Sequence, residues 1–121
     1  MFAHNNPLRN RLSPKVIALA TAAGFNMLGQ HNQRQSFYRK LEGQNRAVMQ
    51  HIEVVENGPS ELVVVYESAD EYGTPLEDRI KVDAPDLLNA MEQALAHADE
   101  SHIIYQFHGV QALKTASLKA A

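Results

Sequence analysis

The chain has 121 residues, 45% of them hydrophobic and 21% charged, the size and composition of one ordinary globular domain. It has no cysteine, which excludes disulfide staples, thiol nucleophiles and cysteine-based zinc or iron–sulfur centres and fits a reducing, cytoplasmic setting. The net charge of −3 hides an uneven distribution: residues 1–50 carry seven bases and one acid, Glu42, while residues 51–110 carry thirteen acids against Arg79 and Lys81.

Residues 1–12 contain Asn5, Asn6, Pro7 and Asn10 and read as an irregular arm. Ser13-Pro14 is a helix start, because Ser caps and Pro fits the first helical position. Val16, Ile17, Leu19, Ala20 and Ala23 give the helix an apolar stripe, and Gly24 is a natural stop. The apolar run from Val16 to Leu28 is broken by Thr21, Gly24 and Asn26 and is too short to span a bilayer. It follows Arg9, Arg11 and Lys15, as a secretory leader would, but Pro14 opens it and few apolar residues precede Ala18-Leu19-Ala20.

A second helix is expected from about Asn32 to Glu42, with Phe37, Tyr38 and Leu41 clustered and Gly43 ending it. Strands follow. Arg46 to Glu56 puts Val48, Ile52 and Val54 on one face. Asn57-Gly58-Pro59-Ser60 is a strong turn. Leu62 to Tyr66 is a continuous apolar run, the mark of a strand covered on at least part of both faces. A turn around Gly73 leads to Leu76–Val82. There Leu76, Ile80 and Val82 read as inward, Glu77, Arg79 and Lys81 as outward, and Asp78 shares the inward parity.

Asp83, Pro85 and Asp86 then open an amphipathic helix. Leu87, Leu88, Met91, Ala94, Leu95 and Ala98 recur at helical spacing. Asp99-Glu100-Ser101 is read as its end, and His102 to Phe107 as a fourth strand. Residues 110–121 read as a short helix or tail. The whole is a single α+β domain over 1–121: two N-terminal helices, an antiparallel three-stranded meander, a helix packed on it, a fourth strand and the tail.

Six histidines are spread over the chain without a His-x3-His or His-Glu-x2-His pair, so no metal site is expected. The glycines are dispersed, and neither a phosphate loop nor a dinucleotide fingerprint occurs. No cofactor is expected. The one acid–base candidate is His51 and Glu53 on one strand beside Tyr66 and Glu67 on the next. Nothing in the sequence supplies a nucleophile or an oxyanion hole to go with them.

Charge therefore carries the functional reading. The first reading is a small non-catalytic binding or regulatory protein, contacting another protein or a second copy of itself. Its contact regions are the basic N-terminal helices and an acidic sheet-hairpin surface of Glu67, Asp70, Glu71, Tyr72, Glu77 and Asp78. The alternative is a nucleic-acid-binding protein that uses Arg9, Arg11, Lys15, Arg34, Arg39, Lys40 and Arg46. An enzyme or ligand binder built on His51 and Glu53 is third. No membrane contact is expected.

Overall fold

Ser13 begins the first helix as expected: its hydroxyl accepts from the Lys15 amide at 3.2 Å, and Pro14 takes the first position of α1, Pro14–Ala22. The computed structural model describes residues 12–28, 34–42, 47–56 and 61–108. α1 stops where Gly24 adopts φ +89°, a left-handed conformation that an L side chain rarely takes. Phe25 then folds back into the core.

Five strands follow as a meander: β1 (Asn26–Met27), β2 (Arg34–Leu41), β3 (Val48–Glu56), β4 (Leu62–Asp70) and β5 (Pro75–Val82). Each pairs antiparallel with the next, so spatial order equals chain order. Asp70 shapes the β4–β5 turn by accepting from the amides of Tyr72 and Thr74, both at 2.9 Å, and Gly73 supplies the positive φ. The chain ends its described part in one long helix, α2, Leu87–His108. Asp86 precedes it and accepts from the Asn89 amide at 2.8 Å, an N-cap three residues later than the expected Asp83.

Both helices lie on the same face of the sheet and touch each other. Val16 and Ala20 of α1 and Met91, Ala94, Leu95 and Ala98 of α2 pack on Phe37, Ile52, Val54, Val64 and Tyr66 of the strands. A smaller cluster of Leu41, Val48, Leu76 and Tyr105 closes the far end under the last turns of α2.

The α+β class holds, but three expected elements do not. The second helix expected over 32–42 is, among the described residues, strand β2 (Arg34–Leu41): Gln35, Phe37 and Leu41 alternate inward and are buried, which is a period of two. The three-stranded meander is therefore five-stranded. The fourth strand over 102–107 is the continuation of α2, because Asp99-Glu100-Ser101 contains no Gly or Pro and Ser101 turns its side chain into the interior. Of the expected arm over 1–12 only Leu12 is described, and it is buried in the main core rather than part of a free arm; residues 1–11, the tail over 110–121 and the turn over 57–60 lie outside the described residues.

Candidate functional site: a buried polar belt and an open sheet face

Alternation along β5 predicts that Glu77 points to solvent. It points inward, because the β4–β5 register shifts twice, between Tyr66 and Ser68 and again between Ser68 and Ala69. Each shift is a β-bulge, and an extra residue in one strand reverses which side chains face the core. Leu76 and Glu77 are consequently both buried.

Glu77 is the hub of a polar belt beneath α2. Tyr66 Oη and Ser68 Oγ, from β4, donate to its Oε2 at 2.7 Å each. Ser101 Oγ, from α2, donates to Oε1 at 2.7 Å. His97 Nε2 lies 3.4 Å from the same oxygen, an ion-pair separation without a formed hydrogen bond, and its ring stands edge-on to Tyr66. Gln50 extends the belt across the sheet, donating to Tyr66 Oη at 3.1 Å and to the Ala98 carbonyl at 2.8 Å. Its Oε1 accepts from Arg39 Nε at 2.9 Å and Nη2 at 2.6 Å. Arg39 in turn donates to the Ala23 carbonyl and to Asp99, with its guanidinium over the Phe25 ring.

The electrostatics follow from this geometry. Burial opposes the ionised form of Glu77, but His97, Tyr66, Ser101 and Ser68 together outweigh it and hold the carboxyl below its ordinary range. The Glu77 carboxylate keeps the His97 imidazole protonated to higher pH than usual, against the cost of partial burial, and Glu100 adds to the effect. Burial, then the Glu77 charge, pushes Tyr66 far above the ordinary tyrosine value. A carboxylate with a lowered pKa is a weak base, and a tyrosine with a raised one keeps its proton. Glu77 and Tyr66 thus keep one protonation state near neutrality, and His97, raised from 6.5, is the member of the belt that titrates. The belt's chemical capacity is to pin α2 to β3, β4 and β5.

The opposite face of the sheet has no described helix on it. Its outward side chains follow from the register. Tyr38, His51 and Glu67 stand side by side on β2, β3 and β4, and Val55 and Val63 pair two rows away. Antiparallel strands with a solvated face usually alternate apolar in, polar out. β4 breaks that rule, with Val63, Val65 and Ala69 all outward. Charge is laid over these residues in ion pairs: Glu53 reaches Arg34 at 3.6 Å and Arg79 at 3.9 Å, and Arg79 reaches Glu67 at 3.8 Å.

The residues singled out from sequence fall in several places. Of the acidic set, Glu71 and Tyr72 are exposed at the β4–β5 tip and Asp78 on the edge strand, Glu67 stands on the open face, and Asp70 and Glu77 are buried. Of the basic set, Lys15 is exposed on α1, Arg34 and Lys40 stand on the open face, and Arg39 is turned into the helix-covered side. Arg9, Arg11 and Arg46 lie outside the described residues. His51 and Glu53 stand on the open face, with no described element packed over them.

Sequence reading missed Ser68, His97 and Ser101 as partners of Glu77, and Gln50 as the link from Tyr66 to Arg39. One signal was available: Gln50 shares the inward parity of Val48, Ile52 and Val54, and a polar residue at such a position needs a partner.

Among the described residues no cluster of three or more His, Asp or Glu side chains could hold a metal ion, and no helix is long and apolar enough to cross a membrane. No protein-family model matches the chain, and comparison with curated proteins and with solved structures gives no match.

Proposed function

We propose that this is a non-catalytic binding protein that engages another protein through the open face of its sheet. The observation that carries the reading is the outward apolar column of β4, a half-buried Val63 and Ala69 on either side of a buried Val65, flanked by the half-buried Val55 and Met49 of β3 on the face that carries no described helix. Apolar side chains interleaved with charge are what reversible, non-obligate contacts present. The edge of the sheet is less suited to that task. β5 has two bulges, an exposed Pro75 and outward Asp78, Arg79 and Lys81, features that discourage strand addition. The exposed Glu71 and Tyr72 at the β4–β5 tip, part of the acidic surface expected from sequence, extend the contact region at one end.

The test uses the full chain as bait in an extract of its own source, beside a Val63→Asp variant whose melting temperature matches the wild type. Capture of a partner by the wild type and its loss with the variant supports the reading. Equal capture by both overturns it.

A second reading, single-stranded nucleic acid on the same face, is favoured by one arrangement. Tyr38 and His51 are cross-strand neighbours, and Arg34, Lys40, Arg79 and Lys81 stand toward the two edges. Glu53 and Glu67 at the centre oppose it. Retention of a labelled oligonucleotide at low salt, falling steeply as salt is added, would favour this reading over the first.

A further inference from the structure

The cross-strand rows of the open face fix which side chains would meet if another sheet lay on it. We infer that the occupant is a second copy of this chain, packed sheet to sheet about a two-fold axis that runs along the strands between β3 and β4. The inference rests on the reading of the open face as a contact surface.

Rotation about that axis keeps every row at its own height and exchanges β3 with β4 and β2 with β5. Val55 and Val63 are direct cross-strand partners, so Val55 of one copy meets Val63 of the other. His51 and Glu67 are partners two rows away, so each imidazole meets a carboxylate of the second copy. Together they form a square in which His and Glu alternate. Tyr38, outermost in that row on β2, meets Arg79, which lies beside Glu67 on β5, a cation over an aromatic ring. Met49 meets Ala69, a large side chain against a small one. Glu53, which would face Val65, already has Arg34 and Arg79 of its own chain as counter-charges.

No like charges oppose each other in these rows. The other face-to-face two-fold, which runs across the strands, would set Arg34 against Lys40 and Lys81 against Arg79. The charges on this face thus select one symmetric arrangement, and isologous packing requires that kind of self-complementarity. Four strands about 4.8 Å apart and four rows about 6.8 Å apart give a footprint of about 500 Å² per copy. The total is near the lower bound of about 1,000 Å² for a specific interface, which makes the dimer a reversible one.

The test is sedimentation velocity of the purified full chain over a wide concentration range, with Val63→Asp and a surface control, Tyr72→Ala. The expected result is a mass that climbs to twice the monomer for wild type and Tyr72→Ala and stays at the monomer for Val63→Asp. Orientation is read by oxidative cross-linking, which is clean because the chain has no cysteine. Met49→Cys mixed with Ala69→Cys should give a mixed disulfide dimer in preference to either homodimer. This second measurement also decides the matter if Val63→Asp does not fold. A wild type that is monomeric at every concentration, a dimer unaffected by Val63→Asp, or a dimer without the preferred mixed cross-link overturns the second-copy proposal. A monomer whose open-face variant still loses a captured foreign protein overturns only the proposal of a second copy, not the contact-surface reading.

Discussion

The two faces of one sheet accommodate carboxylates in opposite ways. On the helix-covered face Glu77 is held by three hydroxyls and by the imidazole of His97, a cation only while protonated. On the open face Glu53 lies between two arginines, with its side chain 12% exposed. The contrast shows what covering does. A carboxylate sealed beneath α2 must have its lone pairs occupied by nearby donors, because an unpaired buried charge costs several kcal/mol. A carboxylate on an open face can rely on long, hydrated side chains. The first arrangement fixes structure, and the second leaves a surface that another molecule can cover.

The comparison is broken most severely by removing the inner carboxylate. Glu77→Ala leaves the hydroxyls of Tyr66, Ser68 and Ser101 buried without their acceptor and should cost about 3–5 kcal/mol in urea unfolding. The outer counterpart, Glu53→Ala, should cost about 1–2 kcal/mol, because its side chain is largely covered but its partners Arg34 and Arg79 remain half-exposed and can turn to water. Equal losses would erase the distinction between the faces. Phe37→Ala, in the apolar part of the same inner face, should cost about 3–5 kcal/mol through the cavity it leaves. Gln50→Ala removes the link from Arg39 to Tyr66 and to the Ala98 carbonyl. The expected loss is about 1–3 kcal/mol, with amide exchange rising around Ala98 before the rest of α2.

The pH dependence sharpens the contrast further. The Glu77 contribution is present above the ordinary glutamate value of 4.5 and is lost as pH falls through its lowered folded value. The His97 contribution is complete below the ordinary histidine value of 6.5 and is lost as pH rises through its raised folded value. The belt therefore supports α2 most fully between those two values. The melting temperature should be highest in that window and decline on both sides. His97→Gln should flatten the alkaline limb and weaken the acid limb in part, since Tyr66, Ser101 and Ser68 still hold Glu77 down. Smallest of all, Lys40→Ala breaks only the exposed contact with Glu42 at 3.5 Å and should shift stability by less than about 0.5 kcal/mol.

Much of the inner face was legible from residue spacing. Val48, Ile52 and Val54 alternate, Leu62 to Tyr66 is a continuous strand, and the Leu87–Ala98 stripe is helical. β2 was misread because two of its inward positions, Gln35 and Arg39, are polar. Without them the remaining Phe37, Tyr38 and Leu41 mimic a helical face. The end of α2 was misread for the converse reason: Ile103, Tyr105 and Phe107 alternate like a strand, although Tyr105 packs as a helical residue against Leu41, Val48 and Leu76. Glu77 was assigned to the wrong side because parity counting assumes an unbroken ladder, and a bulge is invisible to it. The open face was not legible: the unbroken Leu62–Tyr66 run pointed to cover on at least part of both faces, and the described helices cover only one.

The two helices of the covering layer come from opposite ends of the described chain. During synthesis the hairpins of the meander can close one after another as they leave the ribosome, since each joins neighbours in sequence. The greasy side of that ribbon stays wet until Met91 to Ala98 have emerged, and α1 alone cannot roof it. The vulnerable interval is thus the one between the closing of the last hairpin and the emergence of α2, when the sheet still lacks its second helix and its apolar side is most exposed to aggregation.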